Sequence, residues 1–406
     1  MKFTALVFLS AFGILLSAPR AHAGPAQESV LIPQKWAASG KAEQKEEAGR
    51  SIFSVGENGV WHSEPLEFRE GGMYEMRCEV RCLSKRKDTR MQAFAGPEMA
   101  PQLSNDLEVS EKWREFALRF SMPKGANLKQ RIRLSSFGAP DPLEFSKVEV
   151  LPLFVAHSSV EGVTLGAGER LTGVLYEYAA PLKDLDADIP WRNISRALVE
   201  QSAKLHDRRW SFSSGQTVVH HHQVGGHTFE AASIQLTTIT AWPTPMTLVV
   251  EASSNGRDYH PCGVLADTVD RETNKEGRSQ HSLELPKELL PCRELWVRIR
   301  AESPDASAKP IQIDGYQLSA KLESGSISSL EGRTAAVSVQ GTDEDLLVTP
   351  LVNTGQDHTF SVRLENRASR AQTLEPTLSV ATQAAKPEFF NLPVFDLAAG
   401  ASRDVS

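Results

Sequence analysis

The chain has 406 residues, with 44 Lys and Arg against 51 Asp and Glu, and a formal net charge of −7 at pH 7. These charges are spread without blocks, which disfavours a nucleic-acid-binding protein, because such proteins concentrate Lys and Arg on one face. Four cysteines are too few for a dense disulfide scaffold. The length exceeds what one core usually supports, so two or three domains with hydrophobic cores are expected.

The first 23 residues have the three parts of a secretory signal peptide. Lys2 supplies the positive start, Phe3–Ala18 the apolar segment and Ala21–Ala23 an Ala-x-Ala cleavage site. The apolar segment is short for a membrane span, which needs about 20 apolar residues, and no later segment is apolar enough. The three parts fit a buried N-terminal helix less well. We therefore expect a secreted protein without a membrane span, in which residues 24–35 form a linker.

Residues 36–155 contain short runs in which apolar and polar residues alternate. In Tyr74–Cys82 every second residue is apolar, while the residues between them, including Glu75 and Arg77, are charged. This period predicts a strand whose apolar side faces a core and whose charged side faces water or a ligand. Glycine- and proline-containing turns separate such runs, which is typical of an antiparallel sandwich.

Residues 160–322 form a second predicted β domain. A weakly amphipathic segment, Ile194–His206, is predicted as a helix with Ser195 as its N-cap. The Gly- and Ser-rich residues 323–329 are predicted to be a linker. The clearest predicted strands are Thr247–Ala252, Leu295–Arg300 and Ile311–Leu318.

Residues 330–406 are predicted to form an immunoglobulin-like domain. Such a domain needs about seven strands in roughly 100 residues, and the pattern at Gly400–Val405 is that of a further strand beginning. We therefore expect this domain to be incomplete and the chain to be a fragment or the front of a larger protein. The predicted strands are Ala335–Val339, Leu346–Leu351, Thr359–Leu364 and Thr377–Ala381.

Three segments of the first domain resemble motifs of carbohydrate-binding modules of the family 4/9 type. They are Trp61–Glu75, the pair Lys112-Trp113 followed by Phe120–Pro123, and Phe145–Val150, in which the aspartates usual for the family are replaced. The resemblance implies a galactose-binding-like jelly roll, which in this family often holds one structural calcium ion.

The later domains carry resemblances of their own. Val250–Tyr259 resembles a hairpin of discoidin-like domains, with Asn255 and Tyr259 where Asp and Trp are usual, and Leu295–Arg300 with Ile311–Tyr316 is similar to their last two strands. Gly355–Asn366 is similar to bacterial immunoglobulin-like accessory domains, which usually act as spacers. Together these resemblances imply an all-β chain, with two antiparallel jelly-roll sandwiches and a partial immunoglobulin-like sandwich.

Sequence signatures of catalysis are missing. The chain has no Gly-x-Ser-x-Gly, His-Glu-x-x-His or P-loop pattern. Asp184, Asp186 and Asp188 resemble the start of a calcium loop, but Ile189 and Ser195 stand where an EF-hand needs Gly and Glu. A solvated acidic loop is favoured over a calcium site of another type. Because the catalytic signatures are missing, we expect a non-enzyme that requires no cofactor.

A cluster of histidines predicts a second kind of site. His220 and His222 precede a Gly225-Gly226 turn and His227, a pattern typical of a two-residue hairpin. Strand alternation then places His220, His222 and His227 on one face, where three imidazoles could bind zinc. The alternative is that they are polar residues on a solvated sheet face.

Several aromatic residues are candidates for binding sugar, because sugar rings present apolar CH faces beside hydroxyl groups. Trp296 alternates with the apolar residues of its strand and so shares a face with Arg298 and Arg300. Trp113 is likewise out of phase with its strand, and Trp61 and Tyr259 lie at strand–turn junctions. The alternative for each is partly buried packing. The predicted carbohydrate-binding residues are Trp296, Arg298, Arg300, Trp113, Trp61 and Tyr259.

The cysteines are expected to be structural. Cys78 and Cys82 lie four apart on one strand, about 13 Å between Cα atoms, so they are predicted to be separate buried thiols. Cys262 and Cys292 flank predicted strands, and a disulfide between them is expected in an oxidising compartment.

These features favour a secreted, non-catalytic carbohydrate-binding protein whose partner is a polysaccharide or other glycan. One alternative is the non-catalytic N-terminal part of a larger glycoside hydrolase or polysaccharide lyase, with a catalytic domain downstream. Another is a structural or adhesive surface protein without a sugar site.

Overall fold

The chain is almost entirely built from β-strands, as its alternating patterns predict. The computed structural model describes residues 31–82, 92–98, 111–137, 142–182, 193–206, 209–270, 272–275, 277–324, 329–340, 346–352, 360–382 and 388–405. In these residues the regular structure is antiparallel β, apart from a 3₁₀ helix at Lys287–Leu289. Within the same residues, no helix has the length and apolar character to cross a membrane.

The first core lies between two sheets formed by the N-terminal strands. One sheet has the order β1-β4-β10-β7, and in the other β3, β11, β6 and β8 are neighbours. Tyr74, Met76 and Cys78 are each no more than 1% exposed in this core, as the alternation predicts. The strands are β1 Trp36–Ser39, β2 Ala42–Glu47, β3 Arg50–Val55, β4 Val60–Ser63, β5 Leu66–Glu67, β6 Met73–Cys82, β7 Gln92–Pro97, β8 Arg114–Ser121, β9 Lys129–Gln130, β10 Ile132–Phe137 and β11 Leu143–Val160.

The second core is the largest and also lies between two sheets. One has five strands in the order β15-β18-β23-β20-β21, and the other is built around β24, which pairs with β14, β17 and β19. The strands are β12 Val163–Leu165, β13 Glu169–Thr172, β14 Leu175–Ala179, β15 Leu198–Gln201, β16 Lys204–His206, β17 Arg209–Phe212, β18 Thr217–Gln223, β19 Phe229–Ile239, β20 Thr247–Ser253, β21 His260–Ala266, β22 Arg278–Glu284, β23 Glu294–Glu302 and β24 Ile311–Leu322.

Among the residues whose burial the structure describes, those of the third core are Val337, Val339, Val362, Leu364, Leu374 and Leu397. β26 pairs with β29 on one side of it, and β27, β28 and β32 form a three-stranded sheet. The strands are β25 Ser329–Glu331, β26 Arg333–Gln340, β27 Leu346–Val352, β28 Phe360–Asn366, β29 Gln372–Thr382, β30 Glu388–Asn391, β31 Phe395–Leu397 and β32 Ser402–Val405.

One long strand connects the first core to the third. The first part of β11 pairs with β3 and β6, while Leu153–His157 pair with Thr334–Ser338 of β26. β26 therefore extends the sheet of the first core. Residues 31–35 of the expected N-terminal linker are also engaged, because Leu31 forms an antiparallel bridge with Val150.

Two local expectations are wrong. Ile194–His206 is not a helix but contains β15 and β16, because its backbone pairs with neighbouring strands and with the segment around Lys124. Glu75 and Arg77 do not face water. They are 0% and 8% exposed, since Arg77 hydrogen-bonds to Ser338 of β26 at 2.8 Å.

Candidate functional site

The candidate site is the outer face of the five-stranded sheet over the second core. Leu295, Val297 and Ile299 of β23 are fully buried on the inner side. The alternating residues Trp296, Arg298 and Arg300 therefore point outward and are partly exposed. Strand alternation makes this separation unavoidable once the apolar residues enter the core. The sequence predicted this orientation of β23.

Pairing with the neighbouring strands arranges the outer face in rows. Trp296 lies between His221 of β18 and Ser253 of β20, and Arg298 lies between Val219 and Glu251. Directly opposed residues on one face of an antiparallel sheet lie close enough for their side chains to interact. The rows therefore bring aromatic, basic and acidic groups into one surface.

Trp296 is held in place by two contacts. The imidazole of His221 stacks on it almost in parallel, with ring centroids 3.9 Å apart and an interplanar angle of 9°. Gly256 lies against the six-membered ring, so closely that an added Cβ would be 2.9 Å from Cε2. The indole is thus a fixed plane, and its N–H has no acceptor among the described residues.

Arg298 joins an ion pair and an aromatic ring. Its Nε donates to Glu251 at 2.8 Å, and its guanidinium carbon lies 3.8 Å from the centre of the Tyr259 ring. Arg300 lies 3.5 Å from the same carboxylate and also pairs with Glu302. Burial alone would raise the pKa of Glu251, but hydrogen bonds and positive charge from the two arginines outweigh it and lower that pKa. The acid stays ionised, and it balances positive charge on this face.

An open groove of about 480 Å³ lies where the outer face ends. Arg300 and Glu302 form part of its wall, so the groove adjoins the face described above. The turn at Ser214-Gly215, Pro245 and Thr247 also line it.

The structure brings together four of the six predicted sugar-binding residues, Trp296, Arg298, Arg300 and Tyr259, but not the other two. Trp61 is only 6% exposed in the first core, and its Nε1 donates to the Ser54 carbonyl at 3.1 Å. The prediction that it contacts ligand is therefore corrected, since its ring fills the core. Trp113 is partly exposed on the first sandwich, with the guanidinium carbons of Arg50 and Arg81 4.9 and 4.4 Å from its ring centre.

The predicted zinc arrangement is also wrong. His220 and His222 share one face, but it is the core face, where both are fully buried. Both nitrogens of His222 are bonded, to the hydroxyls of Tyr176 at 3.1 Å and Tyr316 at 2.9 Å. His227 lies in the turn after β18. In the described part of the chain, no three His, Cys, Asp or Glu side chains are grouped so as to hold a metal.

Cys262 and Cys292 are not joined by a disulfide. Cys262 lies at the bulge of β21 opposite Glu251, which pairs with Arg298 on β23. Cys292 precedes β23, whose first residue, Glu294, is four residues from Arg298, or about 13 Å along the strand. This offset exceeds the Cα separation that a disulfide allows. Cys78 and Cys82 are separate buried thiols, as predicted.

Some expected features lie outside the described residues. They include the signal peptide at residues 1–23 and the acidic segment with Asp184, Asp186 and Asp188.

Sequence reasoning missed three residues of interest. His221 and Glu251 each lie one position out of phase with buried neighbours, so the alternation that located Trp296 could also have located them. Trp242 is 65% exposed, between Ala241 and Pro243 in the loop before β20. The sequence places this tryptophan in a proline-containing loop, and that position could have identified it as an exposed aromatic residue.

Comparison with known proteins gives only distant structural likenesses. No family model matches the chain, and no curated protein does. A tandem of CBM22 domains from Paenibacillus barcinonensis Xyn10C is similar over 74% of this chain and 99% of its own, with 13% identity and a TM-score of 0.26. The ANXUR1 extracellular domain from Arabidopsis thaliana is similar over 70% and 89%, with 10% identity and a TM-score of 0.22. Scores this low mean that neither structure superposes on the chain as a whole.

Proposed function

We propose that this chain is a secreted, non-catalytic carbohydrate-binding protein whose site is the outer face of the five-stranded sheet. The observation that carries the proposal is the convergence of Trp296, Tyr259, Arg298 and Arg300 on one partly exposed surface. Because His221 and Gly256 lie against the faces of Trp296, the exposed part of this indole offers an apolar edge to the CH groups of a sugar. The guanidinium and carboxylate groups beside it donate to and accept from hydroxyls.

The charge pattern of the face favours sugar over a phosphorylated or nucleic-acid ligand. Arg298 and Arg300 both contact Glu251, and Arg300 also pairs with Glu302. An anionic ligand would have to approach these carboxylates or displace them. A neutral hydroxyl can instead use the N–H donors that the ion pairs leave available, because a guanidinium has five.

The state of Glu251 supports binding without catalysis. Acid catalysis at a glycosidic bond needs a carboxylic acid whose pKa is raised, so that it still holds a proton near neutral pH. Contact with two arginines lowers the pKa of Glu251 instead. This carboxylate is suited to orient arginines and accept hydrogen bonds, and it is a poor proton donor.

A glycan array probed with the secreted chain tests the proposal directly. We expect binding to at least one glycan and no release of products from it. Trp296→Ala should weaken that binding by about 1–3 kcal/mol, as anchor aromatics do. Tyr259→Ala should weaken it as well, because Tyr259 supports Arg298.

Trp113→Ala is the matched control, since Trp113 is also a partly exposed tryptophan beside two arginines but lies on the first sandwich. Its binding should equal that of the unaltered chain. Melting temperatures of all variants separate lost binding from lost folding. The proposal is wrong if no glycan binds, or if Trp296→Ala lowers the melting temperature while leaving glycan affinity unchanged.

A further inference from the structure

The groove at the end of the outer face is continuous with the proposed sugar site. Arg300 belongs to both, because its side chain lies on the outer face beside Glu251 and also lines the groove. Trp296 and Arg300 are four residues apart on β23, which corresponds to about 13 Å. A ligand in contact with both ends would have to be longer than one sugar ring.

Trp242 is presented to solvent near the same groove. Its side chain is 65% exposed, and it precedes by three residues Pro245, which lines the groove. Three residues of chain span at most about 10 Å. The indole is therefore close enough to contact a ligand that leaves the groove.

The loop that carries Trp242 is fixed at both ends by one carboxylate. Asp267 accepts a hydrogen bond from the Thr240 hydroxyl at 3.0 Å and another from the Thr244 backbone N–H at 3.2 Å. The Thr244 hydroxyl donates to the Lys309 carbonyl at 2.7 Å, and prolines at 243 and 245 restrict the backbone further. A loop that is already ordered loses little conformational entropy on binding, so an aromatic residue on it is suited to act as an anchor.

From these observations we propose that the groove and Trp242 form an additional part of the sugar site, so that the ligand is an extended glycan chain rather than a single terminal sugar. This inference rests on the proposed function. One sugar of the glycan contacts Trp296 and Arg298, and the next sugars pass Arg300 into the groove. A further sugar ring stacks on Trp242. The Arg300–Glu302 pair in the wall gives the groove a donor and an acceptor without excess charge.

The test uses fragments of one glycan sorted by length. The polysaccharide that binds best in the array is partially hydrolysed, and fragments from one sugar upward are titrated calorimetrically into the secreted chain. Affinity should rise with length and then level off. Trp242→Ala should lower the affinity for the longest fragments by about tenfold, as loss of an anchor aromatic does. The same substitution should leave the affinity for the shortest fragments unchanged. Trp242→Phe keeps an aromatic plane and should retain most of the affinity.

Val394→Ala serves as the control, because Val394 is an exposed apolar residue of the C-terminal part of the chain and should affect no fragment. The inference is overturned if a single sugar binds as tightly as the longest fragment, or if Trp242→Ala binds long fragments normally. In either case a loss of binding in Trp296→Ala still supports the proposed function. Absence of binding to every glycan would remove both.

Discussion

His220 shows how a polar residue can be placed in a core without a partner. Its ring lies 4.3 Å from that of Tyr316 and 5.3 Å from that of Trp210, and neither ring nitrogen has a hydrogen-bond partner among the described residues. Burial lowers the pKa of His220 to about 3. The imidazole therefore remains neutral in the folded chain at pH values above about 3.

This burial predicts a loss of stability in acid. The ordinary pKa of 6.5 applies to His220 in the unfolded chain, so between about pH 6.5 and pH 3 the unfolded state binds a proton that the folded state does not. The free energy of unfolding should fall as pH drops through this window, by about 2 kcal/mol at pH 5 from this residue alone. His220→Phe should reduce that dependence, as measured by denaturant unfolding at several pH values.

The control for this prediction is His227→Phe, which alters a partly exposed histidine in the turn after the same strand, leaves His220 in place and should therefore keep the loss of stability that His220 causes. At pH 7 His220→Phe should change the free energy of unfolding little, because it removes polar atoms that make no hydrogen bond. An unchanged acid slope in His220→Phe would contradict the assignment.

Gly256 controls the position of the candidate indole. Its φ is +70°, a left-handed conformation that favours glycine, and an added Cβ would be 2.9 Å from Cε2 of Trp296. Gly256→Ala should lower stability by about 1–2 kcal/mol from the backbone conformation alone and should also shift the loop from the ring. Thermal unfolding and glycan titration measure the two effects.

Gly226→Ala is the matched comparison, since a Cβ there would have no atom within 4 Å. It should change neither melting temperature nor affinity. If the two variants behave alike, the contact between Gly256 and Trp296 does not constrain the site.

At the scale of single elements, β6 shows both the strength and the limit of strand alternation. The pattern correctly assigns Tyr74, Met76 and Cys78 to the core. It is wrong about Glu75, which is fully buried and accepts a hydrogen bond from the Ser338 hydroxyl of β26 at 3.1 Å. Glu75 also accepts hydrogen bonds from Arg77 and Arg119, each at 2.5 Å.

Removing Arg119 should be costly, because both it and Glu75 are completely buried. Arg119→Met removes one of the two buried cations that contact Glu75 and leaves Arg77 as its remaining partner, so it should lower the free energy of unfolding by about 3 kcal/mol, the lower end of the cost of breaking a buried ion pair. Lys147→Met, which breaks an exposed ion pair with Glu79, should cost less than about 1 kcal/mol. Denaturant unfolding of the two variants compares them, and equal effects would contradict the prediction.

Local patterns could not identify every element. The all-β class and the outward direction of Trp296 follow from period-two alternation, which is a property of neighbouring residues. The segment Ile194–His206 has no such clear period, and it forms strands because β18 and the Lys124 backbone offer hydrogen bonds to it. The partnership of Trp296 with Gly256 and His221 likewise depends on strand register and loop shape, which spacing along the chain does not specify.

At the scale of the whole molecule, the cores are tied together by polar contacts as well as by strands. Asn193 accepts a hydrogen bond from the Ser121 backbone N–H at 2.7 Å, and its own carbonyl accepts one from the Ser121 hydroxyl at 2.8 Å. Both residues are buried. The first and second sandwiches therefore meet through a specific contact that fixes β8 against the segment leading into β15.

The continuity of β11 has a mechanical consequence. One end of this strand is bonded to β3 and β6 and the other to β26, and hydrogen bonds in an antiparallel ladder run perpendicular to the strands. A force applied along β11 is shared by all the hydrogen bonds of its ladders at once. A force that peeled the strands apart from one end would break these bonds one after another. Tension between the first and third cores is thus borne in shear, and the two should stretch as one stiff rod rather than swing apart.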